Sequence, residues 1–211
     1  MKFSYKDTFR WSSLIAVITL VLAAIFSIVS SLVLSGVAVA VGIIVVLFIV
    51  LVGIVFDVIG IAATAANEVP FHAMASEKVP GAKEAIQICR NADRVASFCN
   101  DVIGDISGIV SGTASAIVVL KLTFQLGSTE DTYLHFTLAV VFTSLVASLT
   151  VGGKALGKSL AIYFSTNIIL VVGKLFYQLD QRFHIKVFNG KSNSKKNKLK
   201  TQTESKKVKK K

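Results

Sequence analysis

A chain of 211 residues that is 53% apolar and only 17% charged, with a mean hydropathy of +0.68, falls outside the range of an ordinary water-soluble domain. Its apolar residues gather into uncharged blocks long enough to cross hydrocarbon, which takes about 20 helical residues. The net charge of +11 is no nucleic-acid footprint, because the cations sit in a tail and in short segments beside the apolar blocks, a placement that suits a membrane surface.

Residues 1–10 carry Lys2, Lys6 and Arg10, and Trp11 stands where an interfacial aromatic would hold the first span. Span one is predicted over 12–35, whose 24 consecutive uncharged residues are too many for a cleavable signal, so a retained helix is expected. Gly36 breaks the run, and span two is predicted over 37–66 with Asp57 as its only charge, forming a tight hairpin with span one.

Residues 67–100 change to a mixed composition with Pro70, Pro80, Lys78, Lys83, Arg90 and Arg94, and read as a cytoplasmic linker. Within it the apolar spacing of 82–98 predicts a short interfacial helix. Cys89 and Cys99 lack metal-ligand spacing and are expected to be reduced. Span three is predicted over 101–120, an acidic turn with Glu130 and Asp131 follows, and span four is predicted over 133–150. Gly152, Gly153, Lys154, Gly157 and Lys158 read as an exit from the membrane.

The block 160–179 has an uncharged core of only 15 residues (159–173), short for a span, and is expected to lie along the membrane surface. Four spans put the positive segments 1–10, 78–94, 154–158 and 191–211 on one side, in keeping with the positive-inside rule. A fifth would send the ten lysines of the tail outward. The expectation is an all-α, polytopic helical protein of the cell membrane with about four spans, interfacial helices and both termini cytoplasmic. The tail from Gly190 onward is predicted to be disordered, serving either to attract anionic lipid headgroups or as a solvated topology anchor.

No hydrolase triad, phosphate loop, zinc spacing or haem motif occurs, and His72, His135 and His184 are scattered, so an enzyme is not expected. In span three Gly104, Gly108 and Gly112 repeat every four residues, the spacing that lets helix backbones approach in lipid. Asn100, Asp101, Asp105, Ser107, Ser111, Thr113 and Ser115 give that span a polar side. Span two offers a matching face of Gly53, Asp57, Gly60 and Thr64. A carboxylate at mid-membrane, where Asp57 is expected, costs about 2.5–3.5 kcal/mol on insertion scales and usually faces a cavity, a partner or an ion. Two readings stand. In one, Asp57 and Asp105 with the hydroxyls of Ser107 and Ser111 hold a hard cation, Mg2+ or Na+. In the other the glycines and serines pack helices, and Asp101 and Asp105 are interfacial and hydrated.

From Val79 onward the sequence resembles the transmembrane domain of the CNNM/CorC (CorB) magnesium transporters. The residues that carry the resemblance are Gly81-Ala82-Lys83-Glu84-Ala85, Asn91-Ala92-Asp93-Arg94, Asn100 opening a span, and Gly153 to Ala161, where the family has Gly-Glu-x-x-Pro-Lys-x-x-Ala. The likeness covers roughly residues 40–180. It departs at Lys154, which stands in place of an acidic residue, at Gly157 in place of the proline, and at Ile61-Ala62-Ala63-Thr64, which lacks the family's carboxylate. The resemblance implies a dimeric helical domain with a cation pathway, contacted here by Thr64, Asn100 and Ser107. In the family it precedes paired CBS modules that these 211 residues do not contain. The expected role is divalent-cation transport or homeostasis; the alternative is a non-transporting membrane scaffold or regulatory subunit assembled through glycine-rich helix faces.

Overall fold

A computed structural model describes residues 5–127 and 133–183 of the chain. Glu130, Asp131, His184 and the basic tail lie outside the described residues. Among the described residues every regular element is helical: α1 (Tyr5–Gly36), α2 (Val39–Ala65), α3 (Val69–Ser76), α4 (Ala82–Arg90), α5 (Ala92–Ala96), a π-helical segment (Ser97–Gly104), α6 (Asp105–Gln125), α7 (Tyr133–Tyr163) and α8 (Ser165–Phe183). Among the described residues four stretches are long and apolar enough to cross a membrane: Ser12–Gly36, Val39–Ala65, Ala92–Gln125 and Tyr133–Tyr163.

The first two match the predicted spans within a few residues, and the others run longer. The third is 34 residues because α5, the π segment and α6 continue as one rod, with no break where the linker was expected to end. The fourth has 31 residues, about 46 Å at 1.5 Å per residue, well beyond the roughly 30 Å of a hydrocarbon core. Lys154 and Lys158 therefore do not end the helix. The chain turns only at Phe164, and α8 follows with Lys174, Asp180 and Arg182 along it. The linker also holds α3, where the Asn67 side-chain oxygen accepts from the Val69 amide 3.0 Å away and Pro70 stands in the first turn.

Helix α2 is the centre of the molecule. It packs against α6, α7, the π segment, α5 and α8, whereas α1 has α6 as its main partner. Near the hairpin end Leu34, Val39, Val46, Val50, Ala114, Val118 and Val146 form one apolar cluster. At the linker end Ala62, Ala63, Phe71, Ala85, Ile88, Ala161 and Ile169 form another, in which Phe71 is fully buried. Large apolar side chains on the outer faces of α1 and α7, such as Leu20, Leu32, Phe136 and Val151, are more than two-thirds exposed. That is the pattern of a bundle whose solvent is lipid.

The linker end is closed by a crossing of α4 and α8. Gly81 precedes α4 with φ of 84°, a left-handed conformation that glycine adopts without steric cost. Its carbonyl oxygen lies against Gly173 of α8, whose missing side chain would also meet the Ala85 amide nitrogen at 3.1 Å.

Candidate functional site

Counting about 20 residues inward from the hairpin-side end of each span locates the far limit of the hydrocarbon. From Val39 the count reaches Val58, from Gln125 it reaches Ile106, and from Tyr133 it reaches Gly152. Asp57, Gly104 and Lys154 thus stand at one level, near the linker-side limit of the membrane rather than at its centre.

The expected faces of α2 and span three do meet, as a seam. A Cβ at Gly53 would stand 2.8 Å from Ser107 Cβ, so the two backbones approach closely there. Eight residues before the end of α2, Asp57 is 6% exposed. One turn further, the Asn100 side chain fills the space that Gly60 leaves; a Cβ at Gly60 would stand 2.7 Å from its amide carbon. Asn100 belongs to the π segment, and such segments widen a helix locally and recur at functional sites.

A charge that the sequence reading placed outside the membrane completes this seam. From the point where a Cβ at Gly104 would stand, Lys154 Nζ of α7 is 3.6 Å away and Asp57 Oδ1 of α2 is 3.8 Å away. Glycine at 104 therefore leaves the space into which an ammonium and a carboxylate both reach. Asp57 Oδ2 and Asn100 Oδ1 are buried and have no hydrogen-bond donor among the described residues. A buried acceptor without a donor is rare in folded proteins and marks a place where a further group belongs.

The remaining predicted residues do not join the seam. Asp105 is exposed, about 100° around the helix from Gly104, at the level where the span meets the interface; the hydrated reading describes it better than a shared metal site with Asp57. Thr64 is exposed and its hydroxyl donates to the Ile61 carbonyl at 2.8 Å. Ser111 is buried, but its hydroxyl donates to the Gly108 carbonyl at 3.0 Å. Gly108 and Gly112 are exposed, and among the described residues nothing lies within 4 Å of a Cβ built on them, so of that stripe Gly104 alone packs against a described neighbour. Among the described residues no group of three or more His, Cys, Asp or Glu side chains could share a metal ion.

Two polar clusters went unread in the sequence. At the hairpin end Lys121 Nζ of α6 donates to the carbonyl oxygens of Leu34, Ser35 and Val37 at 2.5, 2.9 and 2.7 Å. In the linker, Arg90 Nε donates to Glu68 Oε1 at 2.7 Å, and His72 Nε2 lies 2.8 Å from the same oxygen. The His72 hydrogen bond first, with Arg90 adding to it, holds the Glu68 carboxyl below its ordinary range. Burial pushes the Cys89 thiol up, and the Glu68 charge adds to the effect.

These features define a multi-pass, all-helical membrane protein with an internal polar seam at one membrane boundary. Models of protein families, curated proteins and solved structures contain no match to this chain.

Proposed function

We propose that this protein handles a hard cation, Mg2+ or Na+, at a site built from Asp57 and Asn100, with the Lys154 ammonium as the site's own counter-charge. The observation that carries the reading is the pair of buried oxygens, Asp57 Oδ2 and Asn100 Oδ1, that lack donors on one face of α2. Carboxylate and amide oxygens suit hard ions, and Mg2+ in proteins commonly keeps several waters beside one or two carboxylates. The resemblance to the CNNM/CorC domain favours Mg2+. Against it, the Lys154 ammonium stands across the Gly104 gap from Asp57 and lowers the attraction for a divalent ion, which favours the monovalent one.

We place the protein in the cell membrane with both termini cytoplasmic, the basic tail beside anionic headgroups, and the seam at the cytoplasmic boundary. The test is uptake of Mg2+ and of Na+ into proteoliposomes bearing the full chain, reported by trapped ion-sensitive dyes. Asp57→Asn should lower flux of one ion at least tenfold and Asn100→Ala several-fold. Absence of flux for both ions, or equal flux in both variants, overturns the reading.

A second reading is supported by Gly108 and Gly112, which present an exposed small-residue face on α6 with no neighbour among the described residues. A scaffold that dimerises through this face would use the close helix approach that such spacing allows. Gly108→Leu with Gly112→Leu should then dissociate a detergent-solubilised dimer without altering ion flux.

A further inference from the structure

Gly153 and Gly157 of α7 sit directly on α2: a Cβ at Gly153 would run into the Ile54 side chain, and one at Gly157 would stand 2.6 Å from Val58 Cγ2. These contacts lie on either side of Lys154 in α7 and of Asp57 in α2, so the close approach of the two helices fixes how far the lysine backbone stands from the carboxylate. Lys154 Nζ and Asp57 Oδ1 then enter one gap beside Gly104, 3.6 and 3.8 Å from the point where its Cβ would be, without closing into an ion pair.

Among the described residues Asp57 is the one charged side chain that is buried, and its Oδ2 has no donor there. The ammonium thus acts on this position through space and leaves the oxygen open. A fixed unit charge changes the binding free energy of a cation in proportion to the cation's own charge, whatever the local dielectric constant. It opposes a divalent ion twice as strongly as a monovalent one, so in affinity the factor for the divalent ion is the square of the factor for the monovalent. Charge balance points the same way. A carboxylate and an ammonium make the seam neutral before an ion arrives; a monovalent ion leaves one excess positive charge and a divalent ion two, in surroundings where excess charge is costly.

We propose that Lys154 makes this a site for monovalent hard cations such as Na+, and that its charge, placed by the Gly153 and Gly157 contacts, holds Mg2+ off. The inference rests on the ion site proposed above and narrows it to one of its two ions. Lys158 stands one turn further along α7 and is exposed, so solvent and salt screen it and it has no such role. Lys121 is held at the opposite end of the bundle by three carbonyl oxygens.

Equilibrium binding to the full chain in lipid nanodiscs tests this, with radioactive Na+ as the probe and Mg2+ as competitor at constant ionic strength. Wild type should bind Na+ more tightly than Mg2+. Lys154→Met should raise the affinity for Na+ about threefold and that for Mg2+ about tenfold, close to the square that charge alone produces. Lys154→Arg keeps the charge and should hold both affinities within about twofold of wild type; so should Lys158→Met, which removes an equal charge from an exposed position. Loss of a merely structural contact would instead shift both ions by the same factor. If Lys154→Met aggregates, Lys154→Gln carries the same test. Suppose Na+ binds and Asp57→Asn abolishes the binding, yet wild type already prefers Mg2+ or Lys154→Met changes the two ions equally. That result overturns the role of Lys154 and leaves the ion site standing. Binding of neither ion to wild type and to Lys154→Met overturns both.

Discussion

Lys121 donates a hydrogen bond to the carbonyl oxygen of Leu34 at 2.5 Å and thereby ties the end of the first span to the third. The same ammonium holds Ser35 and Val37. Carbonyls in the last turn of a helix have no partner within it, and a cation there also meets the negative end of the helix dipole. Lys121→Met should destabilise the protein by about 2 kcal/mol, in line with the 1.5–3 kcal/mol of hydrogen bonds to charged groups. Thermal unfolding in detergent measures it, and Lys121→Arg should recover part of the loss.

Lys154→Met removes the cation across the Gly104 gap from Asp57; the two charges make no direct ion pair and Lys154 is half-buried, so the cost should stay within about 1 kcal/mol. Asp57→Asn combined with Lys154→Met should lie closer to wild type than Lys154→Met alone. A double-mutant cycle on melting temperatures checks the coupling; simple additivity would mean that the two charges do not sense each other.

Substitution of glycine by alanine should separate the packed positions from the open ones. At Gly157 a Cβ would lie 2.6 Å from Val58 Cγ2, and at Gly53 it would lie 2.8 Å from Ser107 Cβ. Gly53→Ala and Gly157→Ala should each cost about 1–3 kcal/mol through overpacking. Gly108→Ala should be neutral or slightly stabilising in the monomer, since alanine has the better helix propensity. Melting temperatures of the four single variants, including Gly112→Ala, give the comparison.

The Glu68 cluster predicts an acid-sensitive linker. Because the folded-state pKa of Glu68 lies below its ordinary value of 4.5, its contribution is fully present above that value and is lost as pH falls through the lowered one. Unfolding midpoints should therefore drop below about pH 4.5 in wild type, and Glu68→Gln should flatten that part of the profile. The same variant should speed alkylation of Cys89 at pH 8, since it removes one of the two causes that raise the thiol.

The spans were legible because a bilayer demands uninterrupted apolar length, and hydropathy reports length directly. The seam was legible in part. Gly53, Asp57 and Gly60 share a face by simple periodicity, and Gly104, Ser107 and Asn100 do meet them. Gly108 and Gly112 stand away from the seam because each step of four residues advances about 40° around an α-helix and carries the stripe off the α2 side. The π turns before Gly104 set where Asn100 falls, and composition carries no sign of them. The reading of 152–158 as a membrane exit agrees with a hydrocarbon limit at Gly152; hydropathy carried no sign that the helix itself continues to Tyr163 or that Lys154 reaches toward the Gly104 gap beside Asp57. Lys121 acts through a contact 87 residues distant and leaves no local pattern.

The reliance of α1 on α6 rather than on α2 bears on biosynthesis. The first helix enters the bilayer long before its partner exists, since Leu34 and Lys121 are separated by 87 residues. At about 5–20 residues per second that interval is roughly 4–17 s. During it the nascent first helix, with the carbonyls of its last turn unmet by Lys121, is exposed to the insertion machinery and to quality control. Variants of Lys121 should therefore lower the yield of inserted protein in cells more than their loss of melting temperature alone would suggest.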